Sequence, residues 1–501
     1  MSGLRERVKA ELANTEKRRA SATATWGGHQ ATVQQWRRLT AERRLQSLRE
    51  RARAARDEAL NHHERYLRQF AENVRRVGGQ VHFAADGAEA VQQVLAIVRQ
   101  VGARLVVKAK SMVTEEIGLR QALTETGVEV VETDLGEYIM QLKGEPPSHI
   151  TAPAIHLSEE HVAEVFRRSL GEEVPVDPQA MTALARRRLR SKFLSAEVGI
   201  TGANFAVAET GSIVLVTNEG NADLTTSLPR VMIVVMGLEK LVPDWASLEP
   251  LITLLPRAGT GQNMTVYVTA ITGPRRDGEV DGPEELHVVV LDGGRSRLLG
   301  SKYQDALRCI RCGGCLDACP VFRQVGGHAY GSTYSGPIGV VITPLLRGGE
   351  AWELPDLCSV CGLCTETCPV QVPLHRLILE LRADRARGVP VPEAPEPADP
   401  AMPLPGFSEA EQWLFRLWAW AWSDPARYRA STWLASRLAM PAARDGYLAW
   451  FPGPLARWGQ GRDFPAPAVK PFHARWAELQ EEGDGDDPGR PVSPGPDRVG
   501  L

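Results

Sequence analysis

Eight cysteines carry the clearest chemistry in this 501-residue chain, and they fall in two short runs. The first reads Cys309-Ile-Arg-Cys312-Gly-Gly-Cys315-Leu-Asp-Ala-Cys319-Pro320, the second Cys358-Ser-Val-Cys361-Gly-Leu-Cys364-Thr-Glu-Thr-Cys368-Pro369. Both spell C-x2-C-x2-C-x3-C-P, the bacterial ferredoxin spacing, in which three cysteines hold one 4Fe–4S cluster and the fourth ligates the other. On this reading Cys309, Cys312, Cys315 and Cys368 hold a first cluster, and Cys358, Cys361, Cys364 and Cys319 a second. Two-residue gaps let the backbone curl round one face of a cubane, and Gly313, Gly314 and Gly362 permit the close approach. Backbone N–H groups in that curl can point at sulfur and tune the cluster potential. The proline after each fourth cysteine restricts that cysteine to extended geometry and aims it away from its own run. A structural zinc site usually takes two C-x2-C pairs across a longer spacer. Disulfides between residues three apart are strained.

The rest of the composition sets bounds. A chain this long holds two or three domains, and 43% hydrophobic residues allow real cores. The net charge of −3 favours no particular partner. No cysteine lies outside the two runs, which fits a reducing cytoplasm. The first residues lack the apolar core of a secretory signal, and no apolar run is long enough for a membrane span.

The elements that must position the cysteines follow from periodicity. Residues 1–60 form a basic helical arm, with Thr40 to Leu60 read as charged helix. Its arginines, Arg37, Arg38, Arg43, Arg44, Arg49, Arg51, Arg53 and Arg56, are interspersed with acids, which argues for a solvated helix or a docking arm and against a nucleic-acid face.

From residue 61 to 298 helices alternate with strands, and the pattern predicts an α/β domain on a parallel sheet. The expected helices are Tyr66 to Val77, Asp86 to Val101 and Thr114 to Thr126. The expected early strands are Gln80 to Ala84, Arg104 to Lys108 and Val128 to Thr133. A later set comprises Phe205 to Glu209, Ser212 to Thr217, Val231 to Met236, Met264 to Thr269 and His287 to Leu291, with a turn at Gly211.

An α-helical two-cluster domain spans 299–385, a Pro-rich linker 386–406, a Trp-rich helical domain 407–480 and a disordered acidic tail 481–501. The tryptophans, among them Trp413, Trp418, Trp420, Trp422, Trp433, Trp450, Trp458 and Trp476, suit a small packed domain or a protein contact. Peripheral membrane contact is the weaker reading, because the apolar residues of 409–422 surround the helix.

A second, less specific constellation lies in the α/β domain. Lys108 and Lys110 close a strand and lead into a helix start, where a small carboxylate would suit them; solvated lysines at a strand end would look the same. Glu209, Asn218 and Glu219 sit in glycine-bearing turns at strand ends, where pocket residues and plain turns both occur. Either glutamate would need burial to serve as an acid or base. There is no Gly-x-Gly-x-x-Gly after a strand and no Walker-type loop, so the sequence names no flavin or nicotinamide site.

Several longer motifs resemble a known family. Lys108-Ala-Lys-Ser-Met-Val-Thr-Glu-Glu116, Ala208-Glu-Thr-Gly-Ser212, Asn218-Glu-Gly-Asn-Ala-Asp223 and Thr272-Gly-Pro-Arg275 are similar to the lactate-utilisation (LUD) domain. Asp281-Gly-Pro-Glu-Glu285, Gly326-Gly-His-Ala-Tyr-Gly331, Tyr334-Ser-Gly-Pro-Ile-Gly339 and Arg462-Asp-Phe-Pro-Ala-Pro467 narrow the likeness to the lactate-utilisation protein B family.

The resemblance implies a LUD domain of the ribose-5-phosphate isomerase and CoA-transferase type. It implies partners too: a cysteine-rich-domain protein and a second, shorter LUD protein. It further implies a role as iron–sulfur subunit in bacterial oxidation of L-lactate to pyruvate, with two 4Fe–4S clusters relaying electrons to a respiratory acceptor. The location expected is cytoplasmic, with contact at the inner face of the membrane as a variant. The rival readings are a subunit serving another 2-hydroxy acid such as glycolate, and a redox-sensing regulator. For His328 and Tyr330, between the runs, loop packing is favoured over cluster contact.

Overall fold

The computed structural model describes residues 3–388 and 409–439, with short pieces at 441, 443–444, 446–448, 464–468, 470–473 and 475–476. The Pro-rich linker beyond Gly388, the 481–501 tail, Trp450, Trp458 and the first two residues of the 462–467 motif lie outside the described residues. The chain divides into two compact units, Met1–Gly406 and Phe407–Leu501.

The first unit opens with helices α1 (Leu4–Ala13), α2 (Thr15–Ala41), α3 (Leu45–Asn61) and α4 (His63–Arg76). Asn14 caps α2 by accepting from Lys17 N at 3.0 Å. On α3 the buried residues Leu48, Ala52, Ala55 and Ala59 recur at helical spacing, so one narrow face of small side chains packs inward. The arm is thus part of the fold and lies along the cysteine domain.

The α/β region follows as β1 (Gln80–Ala84), α5 (Gly87–Val101), β2 (Leu105–Lys108), α6 (Met112–Glu116), α7 (Leu119–Glu125) and β3 (Glu129–Glu132). It continues with α8 (Leu135–Lys143), α9 (Glu159–Leu170), α10 (Pro178–Ser195), β4 (Val198–Thr201), β5 (Phe205–Val207), β6 (Ser212–Thr217) and α11 (Asn221–Ser227). Its last elements are β7 (Val231–Gly237), β8 (Leu241–Val242), α12 (Trp245–Gly259), β9 (Tyr267–Ile271) and β10 (Glu285–Leu291).

Six strands form a parallel sheet in the order β1-β10-β7-β4-β2-β3. All seven residues of β7 are buried, as expected for a parallel strand covered on both faces. A smaller sheet, β8-β5-β6-β9, carries the hairpin that turns at Gly211, whose φ of 72° requires glycine.

Two expectations shift. The helix expected over Thr114 to Thr126 is broken into α6 and α7 by Gly118, at φ 66°. The strand expected from Met264 begins at Tyr267, because its pairing with β6 runs from Thr217 opposite Tyr267 to Ile213 opposite Ile271. Asn218 Oδ1 instead holds Val266 N at 3.1 Å.

The cysteine domain is built on α13 (Gly314–Ala318), α14 (Pro320–Val325), α15 (Gly336–Arg347), α16 (Leu363–Thr367) and α17 (Leu374–Arg387). A single apolar core joins Leu48 and Ala52 of the arm, Val207 and Leu251 of the α/β region, and Leu307, Ile338 and Leu377 of the cysteine domain. Burial on this scale, at about 25 cal/mol per Å2 of apolar surface, makes the three sequence segments one folding unit.

The second unit has helices α18 (Glu409–Trp422) and α19 (Pro425–Ala439) and a small antiparallel sheet of β11 (Ala443–Arg444), β12 (Tyr447–Leu448) and β13 (Phe464–Pro465). Trp413, Trp418, Trp420 and Trp422 are exposed along α18. Among the described residues, no helix is long and apolar enough to cross a membrane.

Candidate functional site

The eight cysteines gather into two nests. One is lined by Cys309, Cys312, Cys315 and Cys368, with Ile338, Val370 and Leu374 behind them. The other is lined by Cys319, Cys358, Cys361 and Cys364, beside Pro337, His375 and Ile378. Each nest therefore takes three cysteines from one run and the fourth from the other.

The two runs follow the same backbone path. Arg311 and Val360, each two residues after the first cysteine, have φ of 59° and 57°; Gly313 and Gly362 follow at 84° and 82°. Left-handed geometry is a genuine outlier for a β-branched residue such as Val360, and strain of this kind persists where a site demands it. Here it turns amides toward sulfur: Arg311 N donates to Cys309 Sγ at 3.4 Å and Val360 N to Cys358 Sγ at 3.2 Å. Phe322 N and Val372 N do the same for Cys319 and Cys368, at 3.4 and 3.3 Å.

Such a donor set fits cationic iron. Burial first, then neighbouring thiolates, push Cys364 up to about 12. Burial likewise takes Cys319 and Cys368 up to about 11, against the pull of backbone N–H groups. Four thiolates lining one small nest are favourable only with positive charge between them.

The arm and a loop brace the first nest. Arg49 donates to Cys368 O at 2.6 Å through Nη2 and at 3.2 Å through Nε. Arg56 is wholly buried and donates to the carbonyls of Leu241 at 2.7 Å, Leu307 at 2.9 Å, Arg308 at 3.3 Å and Glu239. Gly314 lets the nest press on α12, since a Cβ there would lie 2.4 Å from Ala258 O. His149 Nε2 reaches Asp317 Oδ1 of α13 at 3.3 Å.

Beside this nest opens a cavity of about 240 Å3 at the carboxyl ends of β2 and β4. Lys110, Asn204, Asn218 and Glu219 line it, together with Lys240, Arg311, Cys312 and Tyr334. Lys110 donates to Thr151 O at 2.9 Å and lies 3.7 Å from Asp134. Glu219 is turned to the backbone, accepting from Leu135 N at 3.1 Å.

Two of the sequence candidates lie elsewhere. Lys108 is buried and bound to Glu132 at 3.0 Å and Glu115 at 3.1 Å. Burial pushes Glu132 up to about 7 against the attraction of Lys108, and Glu137 up to about 8. Glu209 is exposed at the Gly211 turn, the opposite end of β6 from Asn218. Tyr330 is buried against Phe322, with ring centroids 6.0 Å apart; His328 Nε2 donates to Pro146 O at 2.9 Å, and its ring meets that of His156 edge-on, with centroids 4.7 Å apart.

Sequence reasoning missed a chain of charges behind the cavity. Arg295 binds Glu116 at 2.6 Å and lies 2.8 Å from Glu239; Arg311 lies 3.5 Å from Glu239 and stacks over Tyr334, 4.6 Å from the ring centre. Tyr334 donates to Glu116 at 2.6 Å. Burial alone would raise the Glu239 carboxyl, but Arg295, Arg311 and Lys240 hold it down to about 2. Burial pulls Lys240 down to about 8 against the attraction of Glu239. A signal for both was in view: Glu239-Lys240 interrupts the otherwise apolar run from Val231 to Val242.

Comparison with known proteins places this architecture. The LUD domain family model matches residues 67–291, the 4Fe–4S dicluster domain 305–372, and the C-terminal domain of lactate utilisation protein B 405–481. Lactate utilization protein B from Shouchella clausii is 44% identical over 96% of this chain and 94% of its own length. The chain belongs to the lactate utilization protein B family. Family members of the same name from Oceanobacillus iheyensis and Geobacillus kaustophilus are 46% and 45% identical, over 88% and 83% of this chain and 87% and 85% of theirs. In this member of the lactate utilization protein B family the dicluster match contains all eight cysteines, and the cavity lies across its boundary with the LUD match. Lys110, Asn204 and Lys240 come from the LUD side, Arg311, Cys312 and Tyr334 from the dicluster side.

Proposed function

We propose that this chain is the iron–sulfur electron-transfer subunit of a complex that oxidises L-lactate to pyruvate. The observation that carries the reading is the exchange of one cysteine between two adjoining nests, in a chain whose relatives are named for lactate utilization. Cys309, Cys312, Cys315 and Cys368 hold one 4Fe–4S cluster, and Cys358, Cys361, Cys364 and Cys319 the other. When bound, the clusters supply two one-electron carriers, matched to the two electrons that leave L-lactate with two protons on its way to pyruvate, and they pass the pair toward a respiratory acceptor.

The chain's own residues give the relay a direction. The first nest lies against the cavity, with Cys312 in the lining of both. The second brings Cys361 to the surface. Electrons enter at the first and leave at the second, toward a cysteine-rich-domain partner, while a shorter LUD protein completes the complex.

The test starts from anaerobically prepared chain, analysed for iron and acid-labile sulfide, with EPR spectra before and after L-lactate is added in the presence of both partners. Two cubanes per chain that become reduced are expected. Zinc or no metal in such a sample, or clusters that stay oxidised, would sink the proposal. A panel of 2-hydroxy acids that includes glycolate identifies the donor.

A further inference from the structure

The cavity beside the first nest has no role in an electron relay as such, yet it is built like a site for a small anion. Its volume, about 240 Å3, falls below the roughly 300–1,000 Å3 of pockets that take drug-sized ligands. It opens at the carboxyl ends of parallel strands, where ligands of open α/β sheets gather.

The charges are unequally spent. On one side Lys110 is already engaged by Thr151 O and Asp134, and Glu219 by Leu135 N. On the nest side stand Arg311 and Lys240. Arg311 is 8% exposed, and Nε and both Nη atoms of its guanidinium are buried without a hydrogen-bond partner. Leaving a buried donor of a charged group unmade costs more than the roughly 1–3 kcal/mol of a neutral one. Its neighbours compensate only part of this: the Tyr334 ring offers a face at 4.6 Å, and Glu239, 3.5 Å away, is shared with Arg295. Arg311 belongs to the cavity wall, and an arginine fork with uncommitted donors matches a carboxylate. Lys240, 8% exposed, adds a second positive charge to the same lining. Asn204, which lines the cavity, spends Oδ1 on Val216 N at 2.9 Å and keeps its amide N–H groups uncommitted.

We propose that this cavity binds a small 2-hydroxy or 2-oxo monocarboxylate, its carboxylate held by Arg311 and Lys240 and its 2-oxygen by Asn204. Bound there, the molecule lies against the wall that contains Cys312, so carbon substrate and first nest share a boundary within this one chain. The assignment rests on the lactate-oxidation reading for the identity of the acid, and on the geometry alone for its charge and size.

The experiment uses the full-length, iron-loaded chain without partners, titrated anaerobically by calorimetry with pyruvate, L-lactate and the uncharged lactamide. One saturable site for pyruvate or L-lactate and none for lactamide is expected. Lys240→Met, which keeps the stem and removes the charge, weakens binding at least about tenfold, or 1.4 kcal/mol. Asn204→Ala weakens it less, and both variants keep wild-type iron content and cluster absorbance. The proposal is overturned if the iron-replete wild type binds neither acid, or if both variants bind as wild type does.

The two readings separate cleanly. Clusters reduced by L-lactate in the complex, with no acid bound by this chain, would remove the cavity assignment and leave the relay. Acid bound at this site with clusters that never reduce would do the reverse.

Discussion

Cys312 and Cys361 hold the same place in their runs, yet one is buried between nest and cavity and the other exposed. The backbone around them is nearly identical, with positive φ at Arg311 and Val360 and again at Gly313 and Gly362. What differs is the company. The first nest is clasped by Arg49 and Arg56 from the arm and Arg311 from its own run; the second has Arg382, which donates to Cys358 O at 2.7 Å. Cysteine spacing dictates the curl, and distant parts of the chain dictate its surroundings. A relay needs both: equal holders for equal carriers, and unequal environments to give the electrons a direction.

The largest effect comes from breaking the exchange of cysteines. Cys319→Ser sits in the first run but should empty the second nest; Cys368→Ser sits in the second run but should empty the first. Each should cost about half the iron and one of two EPR signals, because a cubane needs all four ligands. If Cys319→Ser removes the signal that Cys312→Ser also removes, the nests do not trade ligands and the comparison falls.

Arg56→Met ranks next. Arg56 is 1% exposed and its guanidinium serves four carbonyls, so the substitution leaves buried oxygens without donors. The expected loss is about 3–5 kcal/mol of stability. Arg308 O stands next to Cys309, so the first nest should surrender iron to a chelator sooner than the second. Equal rates from both nests would show that the arm braces them alike.

The bracing explains why legibility in the sequence was uneven. Local signals were plain: the cysteine spacing gave both nests, and β1 and β6 run over the residues that the apolar pattern predicts. Lys110, Asn218 and Glu219 line the cavity because they follow the ends of strands, which pattern can locate. Lys108 stands two positions before Lys110, still within β2, and its ammonium is spent in a buried carboxylate cluster away from the cavity lining. The arm's arginines looked solvated because nothing local tells which face of α3 is covered. Arg56 finds its carbonyls more than 180 residues away. Arg311 and Lys240 meet only through such long-range packing. They are 71 positions apart in the chain and join a single cavity wall.

Arg311→Gln tests the proposed direction of the relay. Removing a buried positive charge next to the first nest makes electron uptake there less favourable, so the potential of that cluster should move negative while the other holds. Potentiometric EPR reads the two separately. A shift shared equally by both clusters would mean that Arg311 acts on the pair as a whole and gives no polarity to the relay.

The smallest expected difference isolates packing from backbone strain. Gly313 and Gly362 have φ of 84° and 82°, so alanine at either position pays the same conformational penalty, about 1 kcal/mol. Around Gly362 a Cβ would meet nothing within 4 Å. Around Gly313 it would lie 3.0 Å from Thr151 Oγ1 and 3.3 Å from His149 Cε1, side chains of the loop that reaches across from the α/β sheet. His149 cannot retreat easily: it is 3% exposed, with Nδ1 bound to the backbone N–H groups of Thr151 and Ala152 at 3.2 Å. Gly313→Ala should therefore destabilise the iron-loaded chain by about 1 kcal/mol more than Gly362→Ala in thermal or denaturant unfolding. If the two variants unfold alike, the loop at 149–151 yields without cost, and the tighter surroundings of the first nest come from the arm and α12 alone.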